Sequence, residues 1–126
     1  MHRQTSLLIA FAALGCGGAS VPFPTKGPEP SAMAFEEVPD APPPPRPEII
    51  RPTSVANAVW VDGQWERVDG AWRFTRGGWV VPPTGARFTA FRVRRAADGT
   101  LLFAAARWID VSGQTIEVER MKTEGP

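Results

Sequence analysis

The carboxylate side chains after residue 55 are the groups best suited to catalysis, because a pair of them can act as acid and base in hydrolysis. Those that could serve are Asp62, Glu66, Asp69, Glu117 and Glu119. However, Asp62, Asp69 and Asp98 each precede a glycine, and Asp-Gly is typical of tight β-turns. We therefore expect a protein that is not an enzyme, with a carboxylate hydrolase as a remote alternative.

Other catalytic chemistry lacks the residues it needs. The only histidine is His2, the only cysteine is Cys16, and tyrosine is absent. Ser-His-Asp and Cys-His mechanisms need an imidazole beside the nucleophile, and zinc sites are usually built from clustered His or Cys. Because His2 falls in the N-terminal leader, these classes are excluded for the mature chain. We predict no catalytic residue, no metal site, no cofactor and no internal disulfide.

Length and charge narrow the possibilities further. A chain of 126 residues with a leader and a proline-rich stretch has room for one small domain. The net charge of +1 falls to about zero when Arg3 is removed with the leader, so nucleic acid is not an expected partner. The one basic cluster is Arg92, Arg94 and Arg95, in which Arg92 and Arg94 share one face of a predicted strand and Arg95 lies on the other. We interpret this cluster as a solvated strand face. A site for phosphate or an acidic glycan is the alternative to a solvated face.

The first 15 residues have the pattern of an export signal. A basic start is followed by the apolar run Leu7–Leu14 and then by Gly15-Cys16. The run is too short to cross a bilayer, which needs roughly 20 apolar residues. The segment resembles a bacterial lipoprotein signal peptide (residues 1–15). The resemblance implies that Cys16 becomes the acylated first residue of the mature protein, carrying palmitate-type chains.

Acylation would place the protein in the cell envelope. Two or three acyl chains anchor a domain stably, since each buried methylene contributes roughly 0.8 kcal/mol. The resemblance also implies sorting to the outer membrane, because Gly17 is not acidic. In the alternative, an ordinary signal peptidase cuts after Ala19 and leaves a soluble periplasmic or secreted protein.

Residues 16–54 are expected to be a lipidated cysteine followed by a disordered linker. Residues 17–54 contain 11 of the 14 prolines, including Pro42–Pro45 and Pro47, and show no amphipathic period. Proline restricts the backbone to extended conformations, so we predict a stiff spacer with an upper reach of roughly 120 Å. A docking site for a proline-binding module is the alternative.

Tryptophans recur in the first part of the predicted domain, residues 55–120. Asp62-Gly63, Asp69-Gly70 and Arg76-Gly77 separate short alternating segments and predict two-residue turns in an antiparallel meander. In that register Trp60 faces Trp65, and Phe74 faces both Trp65 and Trp79. One face then carries Trp60, Trp65, Phe74 and Trp79, with Arg67 stacked on Trp72 beside it.

This aromatic face has two interpretations. The tryptophans can form the core, which we favour because large exposed aromatic side chains would make a sticky surface. They can instead form a binding surface that stacks on sugar rings. The possible binding residues are Trp60, Trp65, Arg67, Trp72 and Trp79.

The spacing of these residues resembles a group of short bacterial proteins with a YXWGXW-type (WXXGXW) tryptophan-glycine repeat. Trp60-Val-Asp-Gly63-Gln-Trp65 fits the W-x-x-G-x-W unit, and Trp72 to Trp79 is a looser copy with Gly78 before the last tryptophan. The resemblance covers about residues 58–83. It implies an exported or lipid-anchored envelope protein without an assigned catalytic residue.

The rest of the domain predicts further strands. Residues 88–95, 100–110 and 114–119 are separated by Asp98-Gly99 and Ser112-Gly113. Residues 101–108 contain good helix formers, but the flanking turns favour a strand. We predict an all-β fold: a small antiparallel meander or barrel-like domain of about seven short strands, followed by a frayed tail over residues 121–126.

Together these patterns predict a non-catalytic, lipid-anchored cell-envelope protein with a structural or protein-interaction module. Its expected partners are the membrane, through the lipid, and another envelope protein. The alternative is a module that binds peptidoglycan or a surface polysaccharide through exposed tryptophans.

Overall fold

The computed structural model describes residues 20–122. Within them the chain forms one turn of 3₁₀ helix, Ala32–Ala34, and ten short strands. The strands are β1 Glu36–Glu37, β2 Val59–Val61, β3 Gln64–Val68, β4 Ala71–Thr75, β5 Gly78–Val80, β6 Arg87–Thr89, β7 Arg92–Arg95, β8 Leu101–Ala104, β9 Arg107–Ile109 and β10 Thr115–Ile116. All pairings between these strands are antiparallel, which confirms the predicted all-β fold class. The predicted signal peptide and Cys16 lie outside the described residues.

The first half of the domain is one long hairpin rather than a meander. β2 pairs with β5 and β3 pairs with β4, and the register is the same on both sides of a break at residues 62–63 and 76–77. The turn at Asp69-Gly70 is confirmed, with φ of +50° and +77°. The predicted turns at 62–63 and 76–77 are wrong, because the strands flanking each of them do not pair with each other.

This hairpin corrects part of the predicted register. Trp65 lies opposite Phe74 and Arg67 lies opposite Trp72, as predicted from the Asp69-Gly70 turn. Trp60 lies opposite Trp79 instead of Trp65. A two-residue turn determines the pairing of the strands on either side of it. The Asp69-Gly70 turn therefore sets the register of both β3–β4 and β2–β5.

The second half repeats this design. β6 and β7 run antiparallel to β9 and β8 as a second long hairpin, again in one register across a break, here at residues 90–91 and 105–106. Its turn contains Asp98-Gly99, and the φ of Gly99 is +89°. Residues 101–104 and 107–109 are therefore strands, as favoured over a helix at residues 101–108. The strand count rises to ten because this hairpin is divided and because β1 comes from upstream.

Two segments, one at each end of the described residues, join the bases of the hairpins into a barrel-like ring. On one side Trp60 N donates to Pro22 O (2.9 Å) and Phe88 N donates to Thr25 O (2.9 Å), so residues 22–25 lie between β2 and β6. On the other side β10 pairs with β9, and Met121 N donates to Trp79 O (2.8 Å). The ring surrounds a core of Val61, Val80, Ala86 and Trp108, with Val59, Phe88, Ile116 and Val118 packed against it.

Closure of the ring changes the predicted domain limits at both ends. Met121, expected in a frayed tail, is hydrogen-bonded to β5. Residues 22–51, expected in a detached spacer, lie along the domain, and β1 within them pairs with β8. Proline lacks an N–H but keeps its carbonyl, so an extended proline-rich segment can accept hydrogen bonds from a neighbouring strand. Apolar periodicity does not reveal this kind of attachment.

The tips of the two hairpins also meet. Trp72 packs edge-on against the ring of Phe103 in β8, with 4.9 Å between ring centroids. The three arginines of β7 each have a separate contact: Arg92 pairs with Glu29, Arg94 lies over Phe35, and Arg95 donates to Gly99 O. Among residues 20–122 there is no helix long and apolar enough to cross a membrane.

Candidate functional site

Four aromatic side chains of the first hairpin form what we term the aromatic face: Trp60, Trp65, Phe74 and Trp79. They are arranged as two cross-strand pairs. Trp60 and Trp79 meet edge to face at 5.6 Å between centroids, and Trp65 and Phe74 are tilted at 5.2 Å. Such pairs stabilise a ladder by roughly 0.2–1 kcal/mol each. The face is therefore built by the hairpin itself.

The proline-rich residues 42–51, which we term the docked segment, lie across the aromatic face. Trp65 Nε1 donates to Pro44 O (3.3 Å), and Trp79 Nε1 donates to Arg51 O (2.7 Å). Between these bonds the Arg46 guanidinium lies over the rings of Trp65 and Phe74, 5.1 and 5.2 Å from their centroids. The indole N–H groups and the aromatic surfaces thus both contact an extended peptide.

The carboxylate of Glu48 binds at the break in the hairpin. Its Oε2 accepts from Gly63 N (2.9 Å) and its Oε1 accepts from Gly77 N (2.8 Å). One carboxylate therefore satisfies two backbone N–H groups, one on each side of the break in the hairpin. Hydrogen bonds to an ionised carboxylate are stronger than those between neutral groups. We term Gly63, Gly77 and the space between them the glycine notch.

Only glycine leaves room for this carboxylate. A Cβ on Gly63 would stand 2.7 Å from Glu48 Oε2 and would collide with the Phe74 ring. A Cβ on Gly77 would stand 2.7 Å from Glu48 Oε2 and 2.8 Å from Trp60 Cζ2. Gly63 does not adopt a positive φ, so its requirement is space and not turn geometry. The glycine of the W-x-x-G-x-W unit forms one wall of a carboxylate site.

The five predicted binding residues divide into two groups. Trp60, Trp65 and Trp79 belong to the aromatic face, whereas Arg67 and Trp72 lie at the hairpin tip. The Arg67 guanidinium is 4.8 Å from the Trp72 ring centroid, as the predicted register requires. Trp72 then packs on Phe103, which makes this pair part of the contact between the hairpins.

Sequence reasoning missed the two charged residues of the site, Arg46 and Glu48. They stand inside and just after the densest proline run, which was predicted to be a disordered linker. A signal was present, since Arg46 and Glu48 are the only charged residues between Asp40 and Arg51.

Two of the acids considered above line a second cleft. Glu66 and Glu117 line a cleft of about 170 Å³ together with Gln64, Arg107 and Arg120. By contrast, Asp62 accepts a hydrogen bond from Trp60 Nε1 (2.9 Å), and Asp69 lies in the turn. Within the described part of the chain there is no group of three or more His, Cys, Asp or Glu residues placed to hold a metal ion.

Comparison with known proteins adds no relative to this geometry. No family model matches the chain. No curated protein and no solved structure matches it either. The resemblances to lipoprotein signals and to the tryptophan-glycine repeat group therefore stay predictions from the sequence.

Proposed function

We propose that this chain is a non-catalytic, lipid-anchored protein of the cell envelope whose β domain is a protein-interaction module. The observation that carries the interaction role is the set of four N–H donors at the aromatic face: Trp65 Nε1, Trp79 Nε1, Gly63 N and Gly77 N. All four bind groups of one extended proline-rich segment. Aromatic surfaces with a few fixed donors are a recurring means of recognising proline-rich peptides.

The lipid anchor at Cys16 is proposed from the sequence, and the fold changes the expected distance between the anchor and the domain. Pro22 is hydrogen-bonded to β2, only six residues after Cys16. Six residues reach at most about 20 Å, even when fully extended. A lipidated Cys16 would therefore keep the domain close to the membrane surface, in contrast to the long spacer expected from the prolines.

The anchor is tested by measuring the intact mass of the protein extracted from membranes. We expect the mature chain to begin at Cys16 with added acyl mass, and we expect Cys16→Ser to leave the membrane fraction. A lipid-free chain beginning at Ser20 would contradict the anchor and leave a soluble domain in its place. That result would not affect the interaction role, which depends on the aromatic face alone.

Glycan binding, the alternative function, would require exposed tryptophan rings. Stacking on a sugar needs an open ring face, but Trp60 and Trp65 are each only 6% exposed, and Pro44 and Arg46 of the docked segment contact Trp65. This burial favours the interaction role. We expect tryptophan fluorescence to be blue-shifted and unchanged by peptidoglycan fragments, and a glycan-dependent shift would support the alternative.

A further inference from the structure

The docked segment is held by few groups. Five of its ten residues are prolines, which cannot donate backbone hydrogen bonds. Its outer side faces solvent, and Ile49 is 89% exposed. Its attachment consists mainly of the Glu48 carboxylate, the Arg46 stacking contact and two bonds from indole N–H groups. Segments with little buried apolar surface open locally at a lower free energy than the whole fold.

The aromatic residues beneath the segment are also held in place by the hairpin itself. Trp60 pairs with Trp79, and Trp65 with Phe74, through the backbone ladder of the hairpin. Opening of the segment would therefore expose a preformed aromatic surface with four free N–H donors. Preformed sites bind more tightly because little conformational freedom is lost on binding.

We propose that the aromatic face is a binding site for an extended, proline-rich peptide of a partner protein, in which an arginine precedes a glutamate by two residues. The docked segment occupies this site in cis and limits access to it. This inference rests on the proposed interaction role but not on the lipid anchor.

Each part of the peptide pattern follows from one contact. The arginine is selected by the paired rings of Trp65 and Phe74, which attract a cation over their faces. The carboxylate is selected by the glycine notch, where two N–H groups converge from the two sides of the break in the hairpin. A glutamine side chain has only one acceptor oxygen, and its NH₂ group would meet the second N–H. Prolines keep the peptide extended between these points.

Attachment in cis sets how strongly a free peptide can bind. A segment joined by a short connection acts as a competitor at an effective concentration near the millimolar range. The wild-type chain should therefore bind such a peptide weakly, and loss of the cis contacts should strengthen binding.

The test uses the full chain and a fluorescent peptide with the sequence of residues 42–51. Anisotropy compares the wild type with the double variant Arg46→Ala/Glu48→Gln. The matched control is Glu29→Gln/Arg92→Ala, which removes an exposed Arg–Glu pair elsewhere on the domain (2.7 Å). We expect the double variant to bind the peptide about tenfold more tightly than the wild type, the control to match the wild type, and a Glu48→Gln peptide to bind about tenfold more weakly.

Several results would overturn the proposal. Equal affinity for the glutamate and glutamine peptides would show that the notch does not select a carboxylate. Equal peptide affinity of the double variant Arg46→Ala/Glu48→Gln and the control variant would show that the docked segment does not compete with the peptide. If circular dichroism finds both the double variant and single Glu48→Gln unfolded, the segment is a required part of the fold. A wild-type dimer that dissociates on Glu48→Gln would make a second copy the occupant instead. None of these results bears on acylation of Cys16, which the mass measurement decides separately.

Discussion

At the scale of single residues, the lack of a side chain at Gly63 and Gly77 matters as much as any functional group. The two glycines leave the space in which the Glu48 carboxylate reaches the hairpin break, because a Cβ at either position would meet it at 2.7 Å. Ala usually stabilises a strand relative to Gly by roughly 0.5–1 kcal/mol. The backbone alone would therefore favour alanine at these two positions, whereas the space needed by Glu48 requires glycine.

We expect Gly63→Ala and Gly77→Ala each to destabilise the domain by about 1–3 kcal/mol, the usual cost of overfilling a packed site. The matched control is Gly78→Ala, the neighbouring residue. Its Cβ would meet only the Arg120 side chain, at 3.1 Å, and that chain can move aside. Urea denaturation followed by tryptophan fluorescence measures the three variants. Equal stability of all three would contradict the crowding argument.

At the scale of elements, each long hairpin depends on one tight turn. The first has Asp69-Gly70 at its tip, and a Cβ on Gly70 would meet nothing within 4 Å. Crowding therefore plays no part at this position, and only the backbone conformation, with φ of +77°, favours glycine.

We expect Gly70→Ala to cost about 1–2 kcal/mol, the penalty of a left-handed backbone for an L-residue with a Cβ. Because β3 and β4 flank the turn, their amides should lose hydrogen-exchange protection before those of β6 and β9. Asp69→Asn should retain near-normal stability, since asparagine tolerates positive φ. Uniform loss of protection over both hairpins would contradict a local turn effect.

The turn that precedes β10 depends on an ionised carboxylate. Asp110 Oδ1 accepts from Ser112 Oγ (2.6 Å), Ser112 N (2.8 Å) and Gln114 N (3.0 Å). These bonds, with that from the Ser112 side chain the largest contributor, hold the pKa of Asp110 below its usual value. A carboxyl whose pKa is lowered by folding stabilises the folded state above its unfolded pKa. That contribution is lost as the pH falls through the lower, folded pKa.

We expect Asp110→Asn to be less stable than the wild type at pH 7, with a difference that shrinks below about pH 4 as the wild-type carboxyl is protonated. Thermal melts over a pH series measure this difference. Ser112→Ala should reduce the pH-dependent part, because it removes the largest cause of the lowered pKa. A difference that stays constant down to pH 2 would contradict the assignment.

At the scale of the whole molecule, the ring is closed by chain segments far apart in sequence. Residues 22–25 join β2 to β6, and the C-terminal part after β10 reaches β5 at Met121. The core contains residues from both hairpins, so neither hairpin encloses it alone. The predicted domain start at residue 55 would leave one side of the ring open.

We expect a chain that begins at residue 55 to lack a cooperative unfolding transition, in contrast to one that begins at residue 20. A chain that begins at residue 39 separates the contribution of residues 22–25 and β1 from that of the docked segment, because it lacks the former and keeps the latter. The chain that begins at residue 39 should lack most of the stability of the chain that begins at residue 20. Calorimetry of the three chains measures this. Full stability of the chain from residue 39 would contradict the role of residues 22–25.

The sequence by itself determined the features that depend on neighbouring residues. Alternation of apolar side chains indicated strands, and Asp69-Gly70 fixed the pairs Trp65–Phe74 and Arg67–Trp72, because a two-residue turn sets the register beside it. Tertiary structure decided the rest. Asp62-Gly63 has the same composition as the true turn, yet it is a break in the ladder that receives Glu48 from 15 residues away. A dipeptide shows which backbone conformations are accessible, whereas contacts distant in sequence select among them. For the same reason prolines, which indicated an extended chain, could not indicate whether that chain was free or bound to the aromatic face.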